Sequence, residues 1–245
     1  NPKPGTDAAL AMSMVGVMTD EKLYQSDYIK EQTDLPLLVR TDTKEFLRRE
    51  DLSLYGLLAV DDNVYYMWDE ETDAIVQAPG TGRADKPMGR DRRKHGTLEL
   101  GNIKPNLEGR WKIETLDGEV EITTVFELLK EECKQYTPEK TSEITGVNPG
   151  VIKKTARVFA DAQPGMIYAG YASCKWLHGD LLQRAMLLML ALTGSTGKEG
   201  GGLQIANAPV TRGLNQFGFS DIGPAFRLIS ATTWDYDHGD MKQMN

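Results

Sequence analysis

The stretch Ala191-Leu-Thr-Gly-Ser-Thr-Gly-Lys-Glu-Gly-Gly-Gly202 carries a Gly-Lys pair and, from Gly194, five glycines within nine residues. It follows the apolar run Ala185-Met-Leu-Leu-Met-Leu-Ala-Leu192, too short to span a bilayer and read as a core helix over Asp180–Thr193. A phosphate-cradling Walker A loop needs a strand before it, a glycine five positions ahead of the Gly-Lys glycine, and a hydroxyl after the lysine. Here a helix precedes, Leu192 holds the glycine position and Glu199 the hydroxyl position. The Gly-x-Gly-x-x-Gly fingerprint fails on the same context. What remains is a helix stop, with Gly194 where a C-cap needs a left-handed residue. Gly200–Gly202 is then either a flexible linker or a place where backbone approaches something closely.

The segments upstream set that helix in order. Asn148-Pro149 is an N-cap and first-turn pair opening a helix with Val151, Ile152, Thr155, Val158 and Phe159 at helical spacing. Pro164-Gly165 ends it, Met166–Gly170 reads as a buried strand, and the polar loop Tyr171–Gly179 leads to the next helix. Helix, strand, loop, helix is α/β order, with ligands expected at the strand's C-terminal end. At the front, Thr6 or Asp7 caps an Ala/Met-rich helix reaching about Met18; a second helix falls near Ser26–Gln32, and Leu35–Arg40 is strand-prone. Residues 55–125 read as an antiparallel excursion: Leu57–Val60, Val64–Trp68, Ala74–Gln77 and Trp111–Glu114 alternate with Asp/Asn-rich turns, and Ala78–Thr97 is a loop. Helix returns from Thr124, with Val125, Phe126, Leu128, Leu129 and Cys133 on one face.

A net charge of −8 argues against a nucleic-acid binder, and the basic cluster Arg90–Lys94 is short and interrupted by an acid. Cys133 and Cys174 are the two cysteines; they form no Cys-x-x-Cys pair, so they build neither a zinc site nor an iron–sulfur cluster by themselves. Each reads as a small buried residue. The chain starts at Asn1 without a signal peptide, and the expectation is an internal segment of a longer protein.

Three segments together resemble the molybdopterin oxidoreductases related to dimethyl sulfoxide reductase: Pro4-Gly-Thr-Asp-Ala-Ala-Leu10, Ile167 through His178-Gly179, and Leu192 through Gly202. Tyr28–Asp42 and Trp234–Met241 are similar to the respiratory branch with an aspartate molybdenum ligand. Lys198–Pro209 is most similar to its chlorate, perchlorate and selenate reductases. The resemblance implies an α/β, Rossmann-like dinucleotide-binding domain over residues 1–212, including the β-rich excursion, with 213–245 starting the next, substrate-funnel domain. It further implies molybdenum held by two molybdopterin guanine dinucleotides, with a [4Fe-4S] domain and the ligand aspartate upstream of Asn1. Partners implied are an iron–sulfur β subunit, a haem b γ subunit or cytochrome, and a small oxyanion, in the periplasm; no nucleic acid and no direct membrane insertion are expected.

By the same resemblance Thr6 and Asp7 face a guanine, whose ring NH and amine are donors suited to a carboxylate; Asp7 as a plain helix cap stays open. Gly170 and Tyr171 border the pterin or pyrophosphate, Gly194 and Gly201 line the dinucleotide, and Arg212, Gly213 and Asn215 match a turn near the cofactor. Lys175 is read as the group that binds the oxyanion and donates a proton as oxide becomes water, or else as a surface lysine. His178, from the same loop as Ser173, borders the metal cavity or bonds a neighbouring carbonyl. Trp234 lines the substrate channel or packs in a core. No metal is assigned to Asp235, Asp237 or His238. Rival readings are a dimethylsulfide or hydrocarbon dehydrogenase of the same branch and a non-catalytic, cluster-carrying relative.

Overall fold

The computed structural model describes residues 1–52, 64–79, 81, 99–170 and 179–205. Residues 1–168 and 172–204 form one compact unit; a second takes 169–171 and 205–245, of which Ala169, Gly170 and Ile205 are described. The Leu57–Val60 strand and most of the Ala78–Thr97 loop lie outside the described residues.

The first unit is organised around α1 (Asp7–Asp20), which buries eight residues from Ala11 to Thr19 and ends two residues beyond the expected Met18. A helix buried over most of its surface needs neighbours on several sides. Here they are α4 (Val125–Cys133), α5 (Pro138–Thr145), α6 (Pro149–Asp161) and α7 (Gly179–Leu192). Gly16 lets α4 close in, since a Cβ there would stand 3.3 Å from Cys133 Cβ. Burial pushes the Cys133 thiol up to about 12, so it stays protonated. Phe126, fully buried, meets Tyr24 edge-on at 5.2 Å and completes this core.

Two expectations for the α/β segment are corrected. Val151 and Val158 are 52% and 61% exposed, while Ile152, Ala156 and Ala160 form the buried stripe of α6. Small side chains let helix axes approach, so the alanines, not the bulkier valines, mark the packed face. The strand over Met166–Ala169 (β6) is not buried on both faces. Ile167 packs on the core and Ala169 is buried, but Met166 and Tyr168 are 56% and 67% exposed, because alternate side chains point to opposite faces. Asn148 does cap α6, accepting from Gly150 N–H at 2.8 Å.

The antiparallel excursion is present as β2 (Tyr66–Asp69) paired with β3 (Ala74–Gln77), and as a sheet in the order β1 (Leu38–Arg40), β5 (Gly118–Thr124), β4 (Arg110–Thr115). Trp68 and Trp111 stack at 4.6 Å over the core made by Leu38, Leu47 and Ile122. Helices α2 (Ser26–Gln32) and α3 (Arg49–Leu52) flank these strands in sequence.

Arg40, 7% exposed, binds Asp42 through both oxygens (3.1 and 2.8 Å), Asp51 at 2.6 Å and Asp117 at 3.0 Å, tying β1 to α3 and the β4–β5 turn. The Arg40 hydrogen bonds hold the Asp42 carboxyl down at about 2, against about 3.9 in an unfolded chain. A carboxyl with a depressed folded value contributes stability that is present above pH ~4 and is lost as pH falls towards ~2. The urea midpoint should therefore drop across that window, and Asp42→Asn should flatten the drop. An unchanged profile in the variant would assign the acid sensitivity elsewhere.

Candidate functional site

Within the Pro4-Gly5-Thr6-Asp7 segment the chain makes a type II turn over Lys3–Thr6 that leads straight into α1 at Asp7. Lys3 O accepts from Thr6 N–H at 3.2 Å, Pro4 takes the first corner, and Gly5 takes the second with φ of 80°. The turn is fixed from outside by Lys3 N–H donating to Thr145 O at 2.8 Å, at the end of α5. Thr6 occupies the N-cap position of α1, but its hydroxyl turns back to Lys3 O at 2.6 Å and makes no cap bond. Asp7 falls in the first turn of α1 and is half-buried. Its carboxylate makes no hydrogen bond or ion pair with any described residue. Capping is thus not what Asp7 does, and at the positive end of a 14-residue helix an acceptor has no partner among the described residues.

At the other end, Gly194 closes α7 as a Schellman motif. It is left-handed at φ 61°, Ser195 N–H reaches back to Leu190 O at 2.9 Å, and Gly194 N–H reaches Ala191 O at 3.0 Å. The cap is buried, and a Cβ on Gly194 would stand 3.2 Å from the Tyr28 ring. Gln25 N–H bonds Leu192 O at 2.8 Å, so the start of α2 docks on the same cap.

What the glycine triplet approaches is the protein itself. A Cβ on Gly201 would lie 2.2 Å from Ser195 O and 2.9 Å from Pro164 Cβ. Gly200 and Gly202 have φ of 80° and 100°, which folds the 195–202 loop back on its own start. Gly202 begins β7 (Gly202–Ile205), and its N–H bonds Gly165 O at 3.2 Å, so β6 and β7 start side by side. Gly170 differs from both: it is exposed, and a Cβ there would meet nothing within 4 Å. The described packing does not demand glycine at 170, as an outside group approaching the backbone would.

Tyr171, Lys175, His178, Arg212, Gly213, Asn215 and Trp234 lie outside the described residues. Among the described residues no three His, Cys, Asp or Glu side chains gather to hold a metal ion, and no helix is long and apolar enough to cross a membrane. Sequence reasoning missed Ser195, whose buried hydroxyl accepts from Gly165 N–H at 2.9 Å; a serine beside a helix-ending glycine was the available signal.

No family model matches the chain. It is 42% identical over 259 aligned residues to the perchlorate reductase subunit alpha of Dechloromonas aromatica, covering 98% of this chain and 27% of that one. It is 41% identical to the dimethylsulfide dehydrogenase subunit alpha of Rhodovulum sulfidophilum and to the chlorate reductase subunit alpha of Ideonella dechloratans, covering 81% and 80% of this chain and 20% of each relative. The chain therefore belongs to the molybdopterin oxidoreductases related to dimethyl sulfoxide reductase. Within them, the relatives it matches are alpha subunits, and it spans about a quarter of the length of the first and a fifth of the other two.

Proposed function

We propose that this chain is part of the catalytic α subunit of a respiratory molybdenum oxidoreductase that reduces a small oxyanion. The 42% identity to a perchlorate reductase subunit across 98% of the chain carries the reading. The overall change is oxyanion plus two electrons and two protons giving the deoxygenated anion and water, with perchlorate or chlorate first and selenate or nitrate next. The cofactor in its two-dinucleotide form supplies the redox and oxygen-atom chemistry when bound. We place the chain in a Rossmann-like domain, to which the helix–strand–helix–strand order and the side-by-side starts of β6 and β7 lend support. A [4Fe-4S] cluster, an iron–sulfur β subunit, a haem b subunit and a periplasmic setting complete the proposal.

One described residue fits a guanine dinucleotide. The Asp7 carboxylate, which bonds no other described residue, can accept guanine's ring NH and amine. Lys175 binds the oxyanion and donates a proton as oxide becomes water, His178 borders the metal cavity, and Trp234 lines the substrate channel; these roles rest on sequence resemblance.

Asp7→Asn keeps the shape but opposes an amide donor to guanine's donors. In the complete subunit the variant should lose roughly 10- to 100-fold in dinucleotide affinity, read as guanosine monophosphate released per polypeptide after acid hydrolysis. Its melting temperature should hold. Full guanine content in the variant sinks the assignment.

The 41% identity to a dimethylsulfide dehydrogenase subunit favours a second reading, oxidation of an organic donor. Turnover of chlorate with reduced viologen against dimethylsulfide with ferricenium separates the two.

A further inference from the structure

A serine or threonine inside a helix commonly returns its hydroxyl to a carbonyl three or four residues back. Thr19 of α1 does so to Gly16 O at 2.9 Å, and Thr145 of α5 to Thr141 O at 2.8 Å. Ser13 lies on the same helix as Thr19 and is 0% exposed, yet its hydroxyl makes no hydrogen bond with any described residue. Burying a hydroxyl in this way is costly, and native structures seldom do it without a partner from protein or ordered water. Ser13 lines a cavity of about 90 Å³ between α1, the last turn of α4 and the start of α5. Thr141 shares the lack of a partner but does not line this cavity.

The walls decide what can enter. Asp20 stands there together with Lys130 and Lys134, so an anion meets a carboxylate and a cation meets ammonium groups. Lys130 is moreover engaged by Glu108 at 3.1 Å. A neutral occupant suits such walls, and it must hydrogen-bond Ser13. At a liquid volume of ~30 Å³ per molecule, the cavity has room for about three waters. An apolar cavity of that size would stay dry, but this one is lined by a residue whose hydroxyl has no other partner. We propose that the cavity is an internal hydration site, holding about three ordered waters, one of which accepts the Ser13 Oγ–H. Such waters join α1 to α4 and α5 where the small side chains of Ser13 and Gly16 leave a gap. The site stands whether or not the subunit binds a guanine nucleotide.

The test is the crystal structure of the complete subunit at a resolution that shows ordered water, taken unmodified, as Ser13→Ala, and under xenon pressure. In the unmodified subunit, water is expected within about 3.2 Å of Ser13 Oγ. Ser13→Ala should fold, since alanine is the better helix former, and should lose that water. Xenon enters dry apolar cavities and should be excluded from this one. Xenon density in the cavity would overturn the proposal. So would a Ser13 hydroxyl turned back to Ala9 O or Leu10 O with no water beside it. An ion, or a side chain from elsewhere in the subunit, found in place of the water overturns it as well. The unmodified and xenon structures decide by themselves if the variant does not crystallise.

Discussion

Gly201→Ala is expected to destabilise the protein by at least about 3 kcal/mol, the largest effect of any single methyl group in the described residues. The added Cβ would sit 2.2 Å from Ser195 O and 2.9 Å from Pro164 Cβ. A carbonyl oxygen in a Schellman cap has no rotamer to escape into, so the loop must open or α7 must lose its stop. Gly197→Ala is the complementary control. Its φ of 79° is left-handed where that of Gly201 is not, and a Cβ there would meet nothing within 4 Å, so it should cost only about 1–2 kcal/mol of backbone strain. Chemical denaturation of both variants decides the point. A loss at Gly201 no larger than that at Gly197 would mean that the loop opens to admit the methyl group and the close approach does not require glycine.

Phe126→Ala comes next, at about 3–5 kcal/mol, the range for emptying a fully buried phenylalanine site. The ring is 0% exposed and lies in the cluster shared by α1, α4, α6 and α7, with Tyr24 edge-on to it. Its backbone N–H also bonds Leu35 O at 2.9 Å, so the cavity would open beside the junction of α4 with the segment leading into β1. For a cooperative unit of 150–250 residues such a loss corresponds to a fall of roughly 10 °C in melting temperature. Phe126→Leu should recover most of it. A loss under about 1 kcal/mol for the alanine variant would show that neighbouring side chains collapse into the space.

Local chemistry made much of the fold readable. Ser26–Gln32 and Ala74–Gln77 fall where propensity and turn residues put them, Asn148-Pro149 starts α6, and Gly194 stops α7. The helix Pro138–Thr145 escapes a reading by periodicity although Thr137-Pro138 and the left-handed Gly146 mark its two ends, because its own pattern is mostly polar. The face of α6 misleads for the opposite reason: valines outweigh alanines in any apolar count, yet the alanines are what allow close packing. Asp7 shows the limit at the site. Its residue type suits a cap, but the preceding Pro-Gly turn sets Thr6 at φ −108° and ψ 8°, outside the extended geometry a cap side chain needs. The Ser195–Gly165 bond joins residues thirty positions apart, and no local pattern announces such a contact. Lys175, His178 and Trp234 are legible only through resemblance, since a lysine, a histidine or a tryptophan taken singly has no spacing to interpret.

The anchor of the Lys3–Thr6 turn has an evolutionary consequence. It runs from the Lys3 amide to the Thr145 carbonyl, and main-chain groups are the same whatever side chains stand beside them. Mutational drift at positions 3 and 145 can therefore proceed without loosening the turn, apart from proline at 3, which has no amide proton. Gly5 has no such latitude, since its conformation is closed to most residues. In a lineage of related chains, the residues that hold this turn in place would look expendable, and the one that merely bends it would look essential.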